Sequence, residues 1–328
     1  MQERLVYGAV SLKKIPELEF TSGFVLDPDK FYSPSYRISP FRTSDIGKNS
    51  GLPNGANIIK NLNNRFEGRK WCYTKSGKKG IALALEALDL NRDDCVTIMT
   101  TSGNMYISGC VTKEIEKVCR WSRKIQSNTA ALFVNHEFGY PFRDLQYLKK
   151  YNLPIIEDAC HSYLANTDRC NMGLVGDFII FSLPKIYPIQ FGGILAHSAK
   201  YNITSDIEFG SSIENYLSSV VSFYQNDLDL IKLTRLQNYH GLVRRFEKLD
   251  CRPRFKLLKY DVPGVFLFFV PQGVNLERMK EHGWRHGIEC SVFYGEEAFF
   301  IPVHQHLSEI DLDYFYAVFL DFFTVDEE

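Results

Sequence analysis

The middle of the chain alternates short apolar runs with segments of helical periodicity. Strands are predicted at 71–74, 96–99, 130–134, 154–156 and 178–181. Helical periodicity is found at 81–88 and 142–151, and 111–121 has a mixed, partly helical pattern. Buried strands separated by helices are typical of a largely parallel α/β sheet.

After Gly193 the pattern changes. A strand at 194–197 is predicted to return along the sheet, followed by long helices at 213–224 and 228–249. Further elements follow: strands at 263–270 and 288–293, and helices at 276–282 and 310–323. The pattern predicts two domains, with an N-terminal arm and a large domain in 1–200, and linking helices with a small α/β domain in 201–328. Within the arm, a short strand is expected at 5–10 and a helix at 57–66.

Candidate functional side chains fall where the predicted strands end. Asp158 and His161 follow one strand, and Ser182 and Lys185 follow the next. Ser76 comes after the first predicted strand and opens a helix. Because ligands of such sheets bind at the carboxyl ends of the strands, these residues are expected to share one site.

Lys185 lies in a loop between a buried strand and Gly192-Gly193, with apolar neighbours on both sides. An amine withdrawn from water favours its neutral form, which can attack a carbonyl. The alternative is an ordinary solvated loop lysine.

The turn at Ser76-Gly77 also has two interpretations. A helix N-terminus offers free amides and a positive dipole end, which suit a phosphate. Lys78 and Lys79 are poorly placed for the helix alone, and a bound anion would explain them. The alternative is a simple serine N-cap.

Composition narrows the function classes. The net charge is −1 with no strong basic block, so neither nucleic acid nor an anionic membrane surface is indicated as a partner. No apolar run approaches the roughly 20 residues of a membrane helix, and the N-terminus lacks the pattern of a signal peptide. The eight cysteines form no CxxC pair, which favours reduced thiols in the cytoplasm over disulfides or zinc.

Five stretches, taken together and in order, resemble the DegT/DnrJ family of sugar aminotransferases. Ser76-Gly77-Lys78 with the following Ala-Leu pairs resembles the family's SGTxAL turn. The other four stretches are VNHEFGYP at 134–141, LPIIEDACHSYLA at 153–165, GLVGDFIIFSLPKIYPIQFGG at 173–193 and IPVHQHLSEIDLD at 301–313. Each is modest alone, and the order of all five is what makes the likeness specific.

The resemblance implies an aspartate-aminotransferase-like fold (pyridoxal-phosphate fold type I), with a large mixed-sheet domain and a smaller C-terminal α/β domain. It implies pyridoxal 5'-phosphate as cofactor, no metal, glutamate as amino donor, a nucleotide-linked keto-deoxysugar as acceptor, and a homodimer. The resemblance also implies a role for each candidate residue. Lys185 would form the Schiff base and move the proton, Asp158 would pair with the pyridine nitrogen, and His161 would stand near the ring hydroxyl. The phosphate would be bound by Ser182, Ser76 and the amides of Gly77 and Lys78, and Tyr106 would stack on the ring. Relatives with histidine in place of Lys185 are dehydratases, so the lysine implies transamination.

The chain departs from the family pattern in several places. Only two residues separate Ser182 from Lys185, where many relatives have four, and His161 replaces a glutamine. The family's N-terminal SGWLTGP-like segment and its NYRM segment are not evident. Gly103 falls nearer than Tyr106 to the usual stacking position.

Other functions stay open from the sequence. They include a different amine acceptor and a non-catalytic regulatory or binding member of the family. An acyl-transfer S-x-x-K motif at Ser182–Lys185 lacks the partner motif KTG. A metal site of His136, His161 and Glu157 is disfavoured, since Glu157 and Asp158 point to opposite faces of their strand.

Overall fold

Two β-sheets organise the protein. A computed structural model describes residues 34–55, 58–166 and 173–325. The strand predicted at 5–10 lies outside these residues. The strands of the larger sheet are β1 (Arg69–Thr74), β2 (Cys95–Thr100), β3 (Arg120–Ser122), β4 (Thr129–Asn135), β5 (Ile155–Asp158), β6 (Phe178–Ser182) and β7 (Gly193–Ser198).

The larger sheet is mixed, with the strand order β1-β7-β6-β5-β4-β2-β3. Strands β2 to β6 pair in parallel, whereas β7 is antiparallel to both β6 and β1. Strand β1 therefore runs in the same direction as β6, and only β7 is reversed. Consequently the carboxyl ends of β1, β4, β5 and β6 share one edge of the sheet. This confirms the predicted sheet and its returning strand, while β3 was not expected.

Helices cover both faces of the larger sheet. They are α1 (Asp45–Ser50), α2 (Ile58–Arg65), α3 (Gly77–Ala87), α4 (Gly109–Glu116) and α5 (Ser212–Gln225). Strand β6 shows why, because its side chains alternate between two buried faces. Phe178 and Ile180 pack in a cluster with α3 and α4, while Ile179 and Phe181 pack with α2 and α5. Apolar residues at every position of β6 are thus explained by burial on both faces.

The segment predicted as a helix at 142–151 forms a 3₁₀ helix at Leu145–Tyr151 instead. The residues predicted as its first turn are not helical, and the amide of Phe142 donates instead to Nδ1 of His136 at 3.0 Å. No side chain caps the 3₁₀ helix at Asp144. The short helix α1 was also not expected from the irregular composition of the arm.

The smaller sheet is antiparallel throughout. Its strands are β8 (Arg252–Pro253), β9 (Phe266–Phe269), β10 (Ser291–Val292) and β11 (Ala298–Ile301), in the order β10-β11-β9-β8. Helices α6 (Leu228–Phe246), α7 (Leu276–Arg285) and α8 (Glu309–Val325) pack with it in one aromatic-rich core. Its other face packs against Tyr106 and Phe138.

Strand β9 is shorter than predicted, and β11 was missed. The residues before β9 are used in another contact, because the amide of Gly264 donates to the carbonyl of Phe138 at 2.7 Å. In the part of the chain that the structure describes, no helix combines the length and apolarity of a membrane span.

Candidate active site

Asp158 ends strand β5 with its carboxylate fixed from two sides. Nδ2 of Asn135, at the end of the neighbouring strand β4, donates to one oxygen at 2.9 Å. The amide of Cys160 donates to the other oxygen at 3.1 Å. The side chain is nearly buried, with 6% of its surface exposed. A carboxylate held in this way is oriented to meet a cationic or protonated partner at the carboxyl edge of the sheet.

The preceding residue, Glu157, belongs to a separate buried pair. Its carboxylate accepts from Nε2 of His136 at 3.1 Å, and both side chains are fully buried. Since Nδ1 of His136 accepts the amide of Phe142, the ring proton must lie on Nε2. Among the described residues, no three His, Cys, Asp or Glu side chains are grouped so that they could hold a metal ion. His136 and Glu157 form a structural pair, and the disfavoured metal site gains no support.

The turn before α3 packs directly against the ends of β5 and β6. Oγ of Ser76 caps the helix by accepting the amide of Lys79 at 3.2 Å. A Cβ at Gly77 would lie 2.7 Å from Sγ of Cys160 and 3.4 Å from Cβ of Ser182. Only glycine allows this approach. It brings the first turn of α3, with its positive dipole end, beside Ser182, so that an anion at this turn would lie next to the serine.

Lys78 has a protein partner of its own. Its Nζ lies 3.3 Å from Oε1 of Glu114 on α4, and the side chain is half exposed. The expectation that an anion explains this side chain is therefore unnecessary, because the buried Glu114 carboxylate accounts for it. The amide of Lys78 nevertheless stays in the first turn of α3.

Lys185 ends a 3₁₀ turn at Leu183–Lys185 that follows β6 directly. The carbonyl of Leu183 accepts the amides of Ile186 at 3.0 Å and Tyr187 at 2.9 Å, which closes the turn. The lysine side chain is partly buried. Because β6 pairs with β5, this turn lies next to the end of the strand that carries Asp158.

His161 carries an unsatisfied buried atom. Nδ1 has no hydrogen-bond partner within the described part of the chain. Burial lowers the pKa of His161 well below its usual value, and the charges of Lys185 and Arg235 lower it further. The imidazole is therefore neutral at pH 7, and its Nδ1 is left without a partner among the described residues.

Tyr106 is not brought against these residues. Its ring packs on Phe293 at 5.1 Å and Tyr294 at 6.1 Å, next to the smaller sheet. The aromatic ring that contacts the site is Phe138, 5.2 Å from the ring of His161 and 6.4 Å from Tyr106. Phe138 has a left-handed backbone with φ of 49°, which is unfavourable for a bulky residue.

Sequence reasoning missed several contributors to this arrangement. Asn135, Cys160 and Phe138 lay inside recognised motifs but carried no signal of their own. A polar residue at the end of a buried strand, as Asn135 is, was the one available clue. The contact of Cys160 with Gly77 joins two segments that are about 80 residues apart in sequence, and no local pattern predicts it.

Solved structures with the same architecture include aminotransferases. No family model matches the sequence, and neither does any curated protein. The aminotransferase TlmJ from Streptoalloteichus hindustanus is 14% identical, with a TM-score of 0.68 over 89% of this chain and 100% of its own. The putative sugar aminotransferase Spr1654 from Streptococcus pneumoniae, in its apo form, is 13% identical, with a TM-score of 0.68 over 91% of this chain and 100% of its own.

A dehydratase has the same architecture. The E. coli GDP-4-keto-6-deoxy-D-mannose-3-dehydratase with bound hydrated PLP is 14% identical, with a TM-score of 0.62 over 87% of this chain and 99% of its own. Identities this low establish architecture and not activity. The chain has the aspartate-aminotransferase-like fold, with its large mixed sheet and smaller C-terminal sheet, that these enzymes share.

Proposed function

We propose that this protein is a pyridoxal-phosphate-dependent aminotransferase. The observation that carries the proposal is the convergence of Lys185, Asp158 and His161 with the first turn of α3. The lysine follows β6, the aspartate ends the adjacent strand β5, and the helix turn packs against both strand ends. The fold neighbours, which include PLP and PMP forms of Spr1654, support the same cofactor.

The residues at the site fit the cofactor. The unpartnered Nδ1 of His161 suits an oxygen on the pyridine ring. The Asp158 carboxylate suits a protonated ring nitrogen, and the amides of Gly77 and Lys78 with the hydroxyl of Ser182 suit the phosphate. Lys185 would hold the cofactor covalently through Nζ.

Bound pyridoxal phosphate supplies an electron sink for the carbanion that forms when an amino acid loses its α-proton. The protein's part is to orient groups and move protons. Asp158, itself fixed by Asn135, would hold the proton on the ring nitrogen. Nζ of Lys185, once released from the cofactor, would take the α-proton and deliver it in the reverse direction. Lysine at this position, where dehydratases of the family have histidine, favours transamination.

The proposed substrates are glutamate as amino donor and a nucleotide-linked keto-deoxysugar as acceptor. Both come from the family resemblance. The GDP-keto-deoxysugar named for the E. coli dehydratase and the sugar aminotransferase Spr1654 support this acceptor class. The segments in which the chain departs from the family pattern are those expected to determine the choice of sugar.

A homodimer in the cytoplasm is the proposed setting. Exposed apolar side chains on neighbouring helices support contact with a second copy: Leu230 and Leu233 on α6 are 61% and 53% exposed, and Ile310 on α8 is 79% exposed. Seven described cysteines are free thiols, which suits a reducing compartment. We also propose a domain boundary near residue 200, between the large domain and the linking helices of the small C-terminal domain.

The test is the visible spectrum of the purified protein with added pyridoxal phosphate, followed by borohydride reduction and peptide mapping. We expect a visible band that bleaches with glutamate, and a cofactor mass on the peptide that contains Lys185. Lys185→Ala should lose both. Lys78→Ala removes a lysine that pairs with Glu114, and it is the matched control that should keep both.

Two outcomes would overturn the proposal. A protein that stays colourless and unlabelled at saturating cofactor would exclude a pyridoxal-phosphate enzyme. Colour that does not respond to any amino acid would leave a binding protein and exclude the aminotransferase.

A further inference from the structure

The guanidinium of Arg235 is buried beneath the lysine turn. Arg235 lies on α6 and is 1% exposed. Its Nη2 donates to the carbonyl of Lys185 at 2.7 Å. Its Nε donates to Oε1 of Gln305 at 2.9 Å. No carboxylate within the described ranges forms an ion pair with it, so its contacts are to neutral oxygens.

Gln305 completes the arrangement from a second segment of the C-terminal half. Its Nε2 donates to the carbonyl of Ile186 at 2.9 Å, while its Oε1 accepts from Arg235. The two consecutive carbonyls of Lys185 and Ile186 are therefore each bound by one side chain, and the two side chains are bound to each other. We call this pair of side chains the Arg235–Gln305 clamp.

The lysine turn needs outside support because it is short. Its internal hydrogen bonds converge on a single carbonyl, that of Leu183, and they leave the carbonyls of Lys185 and Ile186 to other donors. Buried backbone carbonyls require such donors. Nζ of Lys185 stands at the end of a flexible side chain, so a small rotation of the main chain at Lys185 would displace the amine. A displacement of about 1 Å at a reacting group can cost about 100-fold in rate.

Burying an arginine without an anionic partner costs free energy, because the charged group loses its hydration. Burial lowers the pKa of Arg235 to about 10, with no opposing carboxylate among the causes. Its planar fork nevertheless supplies two donors in fixed directions, one toward each of its partners. A lysine could not reproduce this geometry.

We propose that Arg235 and Gln305 are positioning residues that hold the main chain of Lys185, so that its amine stays aimed into the site. The catalytic consequence rests on the proposed aminotransferase function, but the clamp itself does not. Residues of the C-terminal half thus control the orientation of a lysine carried by the larger sheet, which explains how a turn with only two residues between Ser182 and Lys185 stays ordered.

Asn238 provides a matched control. It lies one helical turn further along α6, and its Nδ2 donates to the carbonyls of His304 at 2.9 Å and Leu307 at 3.2 Å. Asn238→Ala therefore removes two buried hydrogen bonds between α6 and the segment that carries Gln305. It leaves the bonds to the lysine turn in place.

The experiment compares Arg235→Met, Gln305→Met and Asn238→Ala in the full chain by two readouts. The first is hydrogen–deuterium exchange of the amides of Ile186 and Tyr187, measured without cofactor. The second is the rate at which Lys185 captures pyridoxal phosphate, trapped by borohydride. Loss of a buried hydrogen bond changes an equilibrium constant by about tenfold. Arg235→Met should therefore speed the exchange of these amides and slow the capture of the cofactor by about tenfold or more. Gln305→Met should change both in the same direction, and Asn238→Ala should change neither.

The proposal is overturned if Arg235→Met and Gln305→Met leave exchange at 186–187 no faster than Asn238→Ala does. It is also overturned if exchange accelerates in these variants while capture by Lys185 keeps the wild-type rate. If the wild-type protein captures no cofactor, the aminotransferase proposal fails and the exchange comparison still decides the clamp. If Arg235→Met does not fold, Gln305→Met decides by the same two criteria.

Discussion

Asn135 and Asp158 occupy paired positions at the ends of two parallel strands, and the side-chain amide of Asn135 donates to the carboxylate of Asp158 at 2.9 Å. The second oxygen of Asp158 accepts the amide of Cys160. Strand register therefore sets the direction of this carboxylate. It points to the same edge of the sheet as the helix turn at Gly77 and the lysine turn at Lys185.

Asp158→Asn should preserve the fold and abolish most of the reaction. Asparagine can still accept the amide of Cys160, and a flip of the Asn135 amide restores the other bond. The negative charge is lost, however, and removing a group aimed at charge in a transition state costs about 100-fold or more. We expect that loss in the rate at which glutamate bleaches the bound cofactor, measured by stopped-flow absorbance.

Asn135→Ala is the companion variant, because it keeps the carboxylate and removes one orienting bond. Its loss should be smaller than that of Asp158→Asn. Equal bleaching rates for the wild type and Asp158→Asn would show that this carboxylate does not act on the cofactor.

Gly77→Ala should damage both stability and cofactor binding, because the added methyl group would lie 2.7 Å from Sγ of Cys160. Overpacking of this kind typically costs about 1–3 kcal/mol. Chemical denaturation measures the first effect, and a cofactor titration measures the second. Cys160→Ala removes the clashing sulfur, so the double variant should recover much of the loss.

Gly109→Ala tests the same change at the first position of another helix. A Cβ there meets nothing within 4 Å, so stability and cofactor affinity should stay unchanged or improve slightly. If the double variant were no better than Gly77→Ala, the clash with Cys160 would not be the cause.

Lys78→Ala should have little effect on cofactor affinity. The side chain pairs with Glu114 at 3.3 Å and is half exposed, and Glu114 keeps a second partner in Lys117 at 2.7 Å. Partly exposed ion pairs are worth about 0–1 kcal/mol. The measurement is the cofactor dissociation constant, and a weakening above about tenfold would place the Nζ of Lys78 on the phosphate after all.

Stability should fall as the pH is lowered below about 6.5, in part because of His304. The residue is 4% exposed, and burial, together with the nearby Arg235, lowers its pKa well below the usual value of 6.5. Below pH 6.5 this histidine is therefore protonated in the unfolded chain but stays neutral in the folded protein. The free energy of unfolding decreases with falling pH as a result. The maximum slope is about 1.4 kcal/mol per pH unit for one such histidine.

Urea unfolding at pH 7.5 and pH 5.5 measures this dependence. His304→Gln should reduce the difference in the free energy of unfolding between the two pH values. Removal of the exposed His240 by the same substitution is the control and should leave the difference unchanged. An identical pH dependence for wild type and His304→Gln would contradict the prediction.

The sequence predicted more of the fold than of the site. Strands β2, β4 and β6 are largely apolar runs, because they are buried on both faces, and that pattern is readable without neighbours. Strands β3 and β8 have three and two residues and too little pattern to be placed, whereas β10 lies inside the strand predicted at 288–293. The 3₁₀ helix at Leu145–Tyr151 was taken for an α-helix. Its start depends on His136, which accepts the amide of Phe142 and is held by the more distant Glu157.

By itself, the sequence determined the residue types of the candidate site and their order along the strands, since strand ends and a helix-opening turn are local features. Only the tertiary structure decided which of these residues meet. It assigned the Lys78 side chain to Glu114, placed Tyr106 on the smaller sheet and brought Phe138 against His161. It also placed Arg235 and Gln305, 50 and 120 residues beyond Lys185, under the lysine turn. Such contacts depend on packing between distant segments, and no local pattern of hydrophobic and polar residues encodes them.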